Sequence, residues 1–252
     1  MIPETEKTGP LRDGIPRILY RDPRCLVVNK IPGEAVEGAA PGMIDLPRLL
    51  AESSGGAASG PEGLAVPVAV NRLDVPASGC VLFARTRRAL SRLNAALGQG
   101  KMEKRYWIIA ENPAAWELPE AGEWIHWLSR NPRTNKSRAW AHEGPGRKQG
   151  VLRYRIKGRG ERYIFLEIEL AAGRHHQIRA QLAAQGLFIK GDIKYGARRS
   201  ERGGGIRLHA RSLCFPDPAE PERIIRVIAP PPMRDRLWLD FEADAASSGS
   251  FP

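Results

Sequence analysis

Asp74 is the first residue in this sequence to which catalytic chemistry could be assigned. It closes Asn71-Arg72-Leu73-Asp74, which follows the apolar run Val66–Val70 and precedes Val75-Pro76-Ala77-Ser78-Gly79. A carboxylate at the end of a buried strand can act as a nucleophile or a general base. Asp is also a common turn former, so Asp74 taken alone is more typical of an ordinary turn than of a catalytic site.

A second polar cluster is Arg174-His175-His176-Gln177-Ile178-Arg179. We expect a helix from His175 to Gln185 that ends at Gly186 and places His175 and Arg179 one turn apart. Such a cluster can present cations to an anion, and the alternative is a solvated basic helix start. Adjacent histidines point to different faces of a helix, and no third ligand follows four residues on, so we expect no metal.

The chain is strongly basic. Lys and Arg number 39 against 28 acidic residues, which gives a net charge of +11. Arg binds phosphate through planar, bidentate contacts and stacks on bases, so this balance favours a nucleic-acid partner over the alternative of an Arg-biased genome. The turn-rich insertion Arg130–Lys148 holds six of the cations and is a candidate RNA-binding hairpin or a merely solvated loop.

The pattern of apolar runs predicts many strands and few helices. The predicted strands are Arg17–Tyr20, Arg24–Lys30, Val66–Val70, Val81–Ala84, Tyr106–Ala110, Trp124–Leu128, Val151–Ile156, Tyr163–Leu170, Leu208–Phe215 and Ile224–Val227. Helices are expected at Leu46–Ala51 and after Thr86, which can cap an apolar face of Leu90, Leu93 and Leu97. This irregular order predicts an α+β fold with a mixed, mostly antiparallel sheet.

Composition narrows the class of protein further. Three cysteines with no close pair argue against a disulfide framework or a zinc ribbon, and Cys80 and Cys214 fall in apolar runs that predict burial. No apolar run approaches the length of a membrane helix, and Met1–Asp13 does not resemble a secretory signal. We therefore expect a soluble, cytoplasmic protein whose 252 residues could form one large domain or two small ones.

Six segments, in order along the chain, resemble the RluA-type RNA pseudouridine synthase family. They are Val28-Asn29-Lys30-Ile31-Pro32-Gly33, Asn71 to Gly79, Lys104-Arg105-Tyr106, Gly173 to Arg179, Gly191-Asp192-Ile193-Lys194-Tyr195-Gly196 and Leu208-His209-Ala210. One such segment would be weak evidence for the family, but the six segments occur in the family's order and cover nearly the whole predicted fold. Two departures are Asn71, where the family usually has His, and His175, where it usually has Thr or Ser.

The resemblance implies a fold, a reaction and a site. The fold is the pseudouridine synthase catalytic domain, with a bent sheet flanked by helices and a central RNA-binding cleft. The reaction turns uridine in ribosomal or transfer RNA into pseudouridine, needs no cofactor or metal, and flips the target base out of the RNA. The implied catalytic residues are Asp74, Tyr106 and Arg179, with Asp74 and Arg179 as an ion pair, and the implied RNA- or base-binding residues are Arg72, Asn71, Lys104, Arg174, His176 and Ile178.

The resemblance also sets the expected domain layout and the alternatives. We expect a flexible segment over residues 1–15, a catalytic domain over 16–238, a disordered tail over 239–252, no N-terminal S4 domain, no obligate protein partner and a monomer. One rival function is a glycosidase or base-excising hydrolase, but such enzymes usually pair two carboxylates, and Asp192 is the only carboxylate besides Asp74 within the matched segments. The other is a catalytically silent RNA-binding module with the same fold.

Overall fold

The computed structural model describes residues 17–53, 63–112, 118–170, 173–201, 204–233 and 235–247. The predicted flexible segment 1–15 lies outside the described residues. So does most of Glu52–Gly63, whose Ser, Gly and Ala content predicts a loop. Among the residues that the structure describes, no helix has the length and apolarity that crossing a membrane requires.

Strands outnumber helices throughout the described ranges. The strands are β1 (Ile18–Arg21), β2 (Cys25–Lys30), β3 (Glu34–Ala35), β4 (Ile44–Asp45), β5 (Gly63–Ala69), β6 (Ser78–Thr86), β7 (Glu103–Glu111), β8 (Ala121–Asn131), β9 (Lys136–Trp140), β10 (Lys148–Arg159), β11 (Tyr163–Leu170), β12 (Leu208–Pro216) and β13 (Ile224–Ile228). The helices are α1 (Leu46–Ser53), α2 (Arg87–Gly98), α3 (Gln177–Ala184) and α4 (Arg236–Ser247), with a 3₁₀ helix at Ile193–Tyr195. β2 pairs antiparallel with β1 and β6, β5 with β6, β12 with β13, β11 with β7 and β10, and β8 with β9 and β10, whereas β3 and β4 are parallel. This confirms the predicted mostly antiparallel α+β class.

The chain divides into two compact units. The first comprises Met1–Lys104 and Ala210–Met233, and the second comprises Arg105–His209 and Arg234–Pro252. The catalytic domain predicted over 16–238 extends across both units and stays a prediction.

In the first unit, β6 is the centre of the sheet. It pairs with β2 and β5, and β12 follows it in the strand order and carries β13. The sheet is covered on both faces, because α1 contributes Leu46 and Leu50 to one apolar cluster and α2 contributes Ala89 and Leu93 to the other. This two-sided burial explains why β2 and β6 are continuously apolar rather than alternating. The predicted cap is confirmed, since Thr86 Oγ1 accepts a hydrogen bond from the Ala89 N–H at 3.2 Å.

In the second unit the sheet runs in the order β7-β11-β10-β8-β9. The predicted disordered tail is wrong as far as residue 247, because α4 occupies 236–247 and fully buries Phe241. The Phe241 ring stacks on Trp107 and Phe165, with centroids 4.6 and 5.1 Å away. An acidic, Ser-rich composition predicted disorder here, but the apolar face formed by Trp238 and Phe241 supplies enough burial to order the helix.

Candidate active site

The loop that carries Asp74 connects β5 with β6 in the first unit. Asp74 is half-buried, and its carbonyl accepts a hydrogen bond from the Ala77 N–H at 3.0 Å, which closes a turn. The Val75 carbonyl accepts from the Gly33 N–H at 2.9 Å. These bonds fix the backbone on the C-terminal side of the carboxylate.

Lys30 fixes the loop between β5 and β6 through hydrogen bonds to its backbone. Its side chain is fully buried at the end of β2, and Nζ donates to the carbonyls of Ile31, Val75 and Ala77 at 3.1, 2.9 and 2.6 Å. Three bonds use all three ammonium donors, so this buried cation is satisfied by the loop that follows Asp74.

The charge state of Lys30 depends on its surroundings. Burial lowers the pKa of Lys30 to about 8, while the negative charges of Glu34 and Asp74 oppose that effect. The ammonium form therefore predominates at neutral pH. The Lys30 ammonium therefore places a positive charge against the loop that carries Asp74.

Asn71 attaches the loop to β6 at its other end. Its Oδ1 accepts from the Leu82 N–H at 2.7 Å and its Nδ2 donates to the Cys80 carbonyl at 3.2 Å. The Asn71 side chain is buried. Asn71, which departs from the family pattern, therefore bonds to the backbone of β6. Its neighbour Arg72 is exposed and lies 3.3 Å from a carboxylate oxygen of Glu37. The predicted contacts of Asn71 and Arg72 with RNA stay predictions.

Gly79 follows this loop because no side chain fits there. Its φ of 112° is unfavourable for L-residues, and a Cβ at this position would overlap the backbone of Ala210. The predicted base-binding residue Lys104 also lies in the first unit, at the start of β7. It is buried, and burial lowers the pKa of its ammonium.

Arg179 is the centre of the candidate site in the second unit. Its Nε and Nη2 each lie 2.7 Å from an oxygen of the Asp192 carboxylate, in a bidentate pair. Both side chains are buried, at 4% and 1% exposure. Because a buried charge must be paired, Asp192 fixes both the ionisation and the orientation of the guanidinium.

His176 continues the network on the other side of Arg179. Its Nε2 lies 3.2 Å from Arg179 Nη1 and its Nδ1 lies 3.0 Å from the Tyr195 hydroxyl. A guanidinium can only donate, so Nε2 must accept and Nδ1 must carry the proton. Burial first, and then the positive charge of Arg179, lower the pKa of His176 to about 3. The imidazole is therefore neutral at physiological pH.

Tyr195 links this network to β9. Its hydroxyl accepts from the Ser137 N–H at 2.8 Å and donates to the Ser137 carbonyl at 3.2 Å. Together with the bond from His176 Nδ1, these contacts use the one donor and both acceptor positions of the hydroxyl. Ser137 Oγ donates to the His175 carbonyl at 2.7 Å. We call His176, Arg179, Asp192, Tyr195 and Ser137 the buried network.

The helix predicted from His175 begins two residues later. His176 has a φ of 52°, in the left-handed region, and α3 starts at Gln177. The prediction that His175 and Arg179 share one helix face is therefore wrong. The solvated basic helix start is wrong as well, because Gln177–Leu182 are all buried. Arg174 alone of the predicted cluster is well exposed, and its Nε lies 3.3 Å from the Gln149 carbonyl.

The two remaining predicted residues are apolar or aromatic. Tyr106 lies in β7 opposite Ile168 of β11 and is 7% exposed. Ile178 lies in the first turn of α3 and is 4% exposed.

Among the predicted site residues, the structure brings His176 and Arg179 into direct contact in the second unit. In the first unit it places Asp74 on a loop held by Asn71 and Lys30. Four supporting residues were not predicted: Lys30, Asp192, Tyr195 and Ser137. A lysine in a continuously apolar strand was a usable signal for Lys30, and Asp192 and Tyr195 lay within a segment already matched to the family. Within the described ranges, no three His, Cys, Asp or Glu residues are placed to hold a metal ion.

Comparison with known proteins identifies the family of this chain. The family model described as RNA pseudouridylate synthase matches residues 24–184. An RNA pseudouridine synthase of Zymomonas mobilis is 30% identical over 78% of this chain and 86% of its own length. The ribosomal large subunit pseudouridine synthase C of Escherichia coli is 30% identical over 90% of this chain and 69% of its own length.

A solved structure shares the fold. The human RNA pseudouridylate synthase domain containing 1 protein superimposes with a TM-score of 0.68 at 20% identity, over 90% of this chain and 94% of the human one. The matched family model covers Asp74, Tyr106 and Arg179 together. The chain therefore belongs to the RNA pseudouridylate synthase family, in its RluA group, and is an RNA pseudouridine synthase, an isomerase.

Proposed function

We propose that this chain isomerises uridine to pseudouridine in ribosomal RNA, with Asp74 as the catalytic carboxylate. The observation that carries the proposal is the loop held on both sides of Asp74, by Asn71 at one end and by the Lys30 ammonium at the other. A reacting group on a fixed loop beside a buried cation is the arrangement that a nucleophile or base requires. Ribosomal RNA is favoured because several relatives are named ribosomal large subunit pseudouridine synthases.

The reaction breaks the bond from ribose C1′ to uracil N1 and forms a bond from C1′ to C5. The Asp74 carboxylate either attacks C1′, forming an ester bond that breaks when C5 bonds to C1′, or removes a proton from C2′ to give a glycal and returns that proton to C2′ when C5 bonds to C1′. The base then turns, C5 bonds to C1′, the C5 proton is lost and N1 ends protonated, so that the product is an isomer of the substrate. No electron donor or acceptor is consumed.

Tyr106 and Ile178 are proposed to bind the detached base. A Tyr ring can stack on uracil, and its hydroxyl is a candidate acceptor for the C5 proton. Ile178 supplies an apolar surface. Both side chains are buried in the second unit, which supports a role in an enclosed pocket over one at the protein surface.

The pairing of Arg179 with Asp74 that the resemblance implies stays a prediction. Within the second unit, Arg179 is held in one orientation by Asp192 and His176. For His176 we propose a positioning role, because both of its ring nitrogens are already bonded within the protein. Lys104 and Arg174 are proposed to contact the RNA.

The target uridine lies within an RNA chain, so we propose that it is flipped out before reaction. The exposed side chain of Arg72, two residues before Asp74, is the candidate to occupy the vacated position.

Pseudouridine mapping by a carbodiimide-based stop assay across total RNA tests the proposal. The strains are wild type, a deletion, and the deletion complemented with Asp74→Asn or with the matched exposed variant Glu103→Gln. We expect a ribosomal RNA site to vanish in the deletion, to stay absent with Asp74→Asn and to return with Glu103→Gln. Full modification by Asp74→Asn would contradict the assignment, and a site in transfer RNA would correct the substrate.

A further inference from the structure

The segment from residue 130 to 148, which includes β9, is a strongly basic part of the second unit. We call it the basic hairpin. Its six cations are Arg130, Arg133, Lys136, Arg138, Arg147 and Lys148, and Glu143 is its single acidic residue. Within the part of the chain that the structure describes, none of the six forms an ion pair. The charge of this surface is therefore not neutralised by the protein itself.

Two of these cations are organised by one aromatic ring. The guanidinium carbons of Arg138 and Arg147 lie 3.9 and 4.0 Å from the centre of the Trp140 ring. Trp140 is itself held, because its Nε1 donates to Ser129 Oγ of β8 at 2.9 Å. Arg147 is held a second time, through a bond from Nη1 to the His142 carbonyl at 2.9 Å. Both guanidinium groups are thus oriented before any ligand arrives.

Stacking occupies the faces of these groups rather than their N–H edges, although one edge donor, Arg147 Nη1, is used by the His142 carbonyl. A guanidinium stacks through its face, whereas its N–H donors point outward in its plane, in a fork that matches phosphate. The two guanidinium carbons lie at most 7.9 Å apart, which is the sum of their distances to the ring centre. Phosphates follow one another closely along a nucleic-acid strand, so both groups can reach the backbone of a single strand.

The hairpin is also fixed relative to Arg179. Ser137, between Lys136 and Arg138, is buried and exchanges two hydrogen bonds with the Tyr195 hydroxyl at 2.8 and 3.2 Å. Tyr195 in turn bonds to His176, which contacts Arg179. A phosphate bound at Arg138 would therefore stand at a set distance from Arg179 within the same unit.

We propose that Arg138, Trp140 and Arg147 form a clamp that binds two phosphates of one strand of the substrate RNA. The clamp reads no base, so it contributes affinity and register rather than sequence choice. The proposal rests on RNA being the substrate. An acidic peptide is the competing class of ligand, and its binding is one outcome of the test.

The test measures binding of a fluorescein-labelled single-stranded RNA of mixed sequence to the full chain over a series of salt concentrations. The variant Arg138→Gln/Arg147→Gln should raise Kd about ten-fold at moderate salt and lower the slope of log K against log salt by about 1.4, which is two contacts at about 0.7 each. Trp140→Leu keeps both charges, so it should raise Kd about three-fold with a nearly unchanged slope. Arg87→Gln/Arg88→Gln removes two exposed charges elsewhere and is the matched control, with slope and Kd close to wild type.

Thermal unfolding of each variant separates lost binding from lost folding. An unchanged Kd and slope in the folded Arg138→Gln/Arg147→Gln variant would overturn the clamp, and so would a poly-glutamate probe that competes as well as RNA. Pseudouridine formation on total ribosomal RNA is measured in parallel. The clamp predicts a raised KM with kcat retained, whereas failure of the proposed function would show as no pseudouridine in the wild-type reaction.

Discussion

Two sets of arginines in the second unit are used in opposite ways. In the buried network, the Arg179 guanidinium is enclosed, paired with Asp192 and bonded to His176. In the basic hairpin, Arg138 and Arg147 lie at or near the surface against Trp140, and within the described ranges neither has a carboxylate partner. The first arrangement determines where one charge stands. The second keeps two charges available for a ligand.

Burial explains the difference. An enclosed charge without a partner is strongly unfavourable, so Arg179 is stable in its position only because Asp192 neutralises it. An exposed charge keeps its hydration and can exchange water for phosphate at little cost. Tyr195 joins the two regions, since its ring centre lies 4.8 Å from the Arg179 guanidinium carbon and 4.9 Å from Lys136 Nζ. Through the Tyr195 ring, the buried network that orients Arg179 lies next to the charged surface of the basic hairpin.

Removing the charge of Asp192, the buried partner of Arg179, should have the largest effect. Asp192→Asn leaves the Arg179 charge uncompensated, and we expect a loss of about 3 to 5 kcal/mol in the free energy of unfolding, with pseudouridine formation reduced to background. Urea unfolding and single-turnover assays measure the two effects. The matched control is Glu120→Gln, which breaks the exposed pair with Arg159 and should cost less than about 1 kcal/mol. Equal losses in the two variants would remove the distinction between the regions.

Acid should act on the buried network through His176. Its pKa is about 3 in the folded protein against 6.5 in the unfolded chain. Between these values the unfolded state binds more protons, so the contribution of His176 to stability is present above pH 6.5 and is lost as the pH falls toward 3. In His176→Gln we expect the stability lost between about pH 7 and about pH 4 to shrink by on the order of 3 kcal/mol.

Chemical unfolding across this pH range measures the effect. His142→Gln changes an exposed histidine of the basic hairpin and is the matched control. It should retain the full acid loss of the wild type. If both variants keep that loss, the acid sensitivity arises from other groups.

Tyr195→Phe should have a smaller effect, because it keeps the ring and removes only the hydroxyl. His176 Nδ1–H and the Ser137 N–H then lose their acceptor in a buried site, which we expect to cost about 2 kcal/mol in unfolding free energy. Because the hydroxyl orients His176 and, through it, Arg179, kcat should fall with KM nearly unchanged. Tyr163→Phe on β11 is the control and should lie within about 0.5 kcal/mol of wild type. A raised KM with unaltered kcat would indicate that Tyr195 acts by positioning the basic hairpin rather than Arg179.

Much of the fold could be predicted because it depends on local patterns. Ten strands, all except β9 and the short β3 and β4, follow apolar runs, and the start of α2 follows from a Thr that can cap a helix. The start of α3 could not be predicted in this way. His176 adopts a left-handed conformation that its bonds to Tyr195 and Arg179 hold in place, and those partners become neighbours only after folding.

The site shows the same limit. Asp74, Tyr106 and Arg179 stood out through resemblance, since the matched segments contain them. The sequence places Asp192 in a matched segment but gives it no partner, and the structure shows that it is the carboxylate that Arg179 binds thirteen positions away. The Ser137 contact joins residues 58 positions apart along the chain, and no periodic pattern records a pairing of that kind. Tertiary ion pairs and hydrogen bonds therefore made up the part that sequence alone did not reveal.

The smallest expected effect concerns the turn of the basic hairpin. Asn135 and His176 are the two residues other than glycine with positive φ among those the structure describes, at 47° and 52°. Asn tolerates this conformation and Asn135 is exposed, so Asn135→Gly should change the free energy of unfolding by less than about 0.5 kcal/mol, despite losing the bond from Arg130 at 2.7 Å. Asn135→Ala keeps the Cβ but removes the polar side chain that makes Asn tolerant of the left-handed region, and it should cost about 1 kcal/mol. At His176 the same Gly substitution also removes two buried hydrogen bonds and should be far more harmful. Similar losses at the two positions would mean that the hairpin turn is as constrained as the buried network.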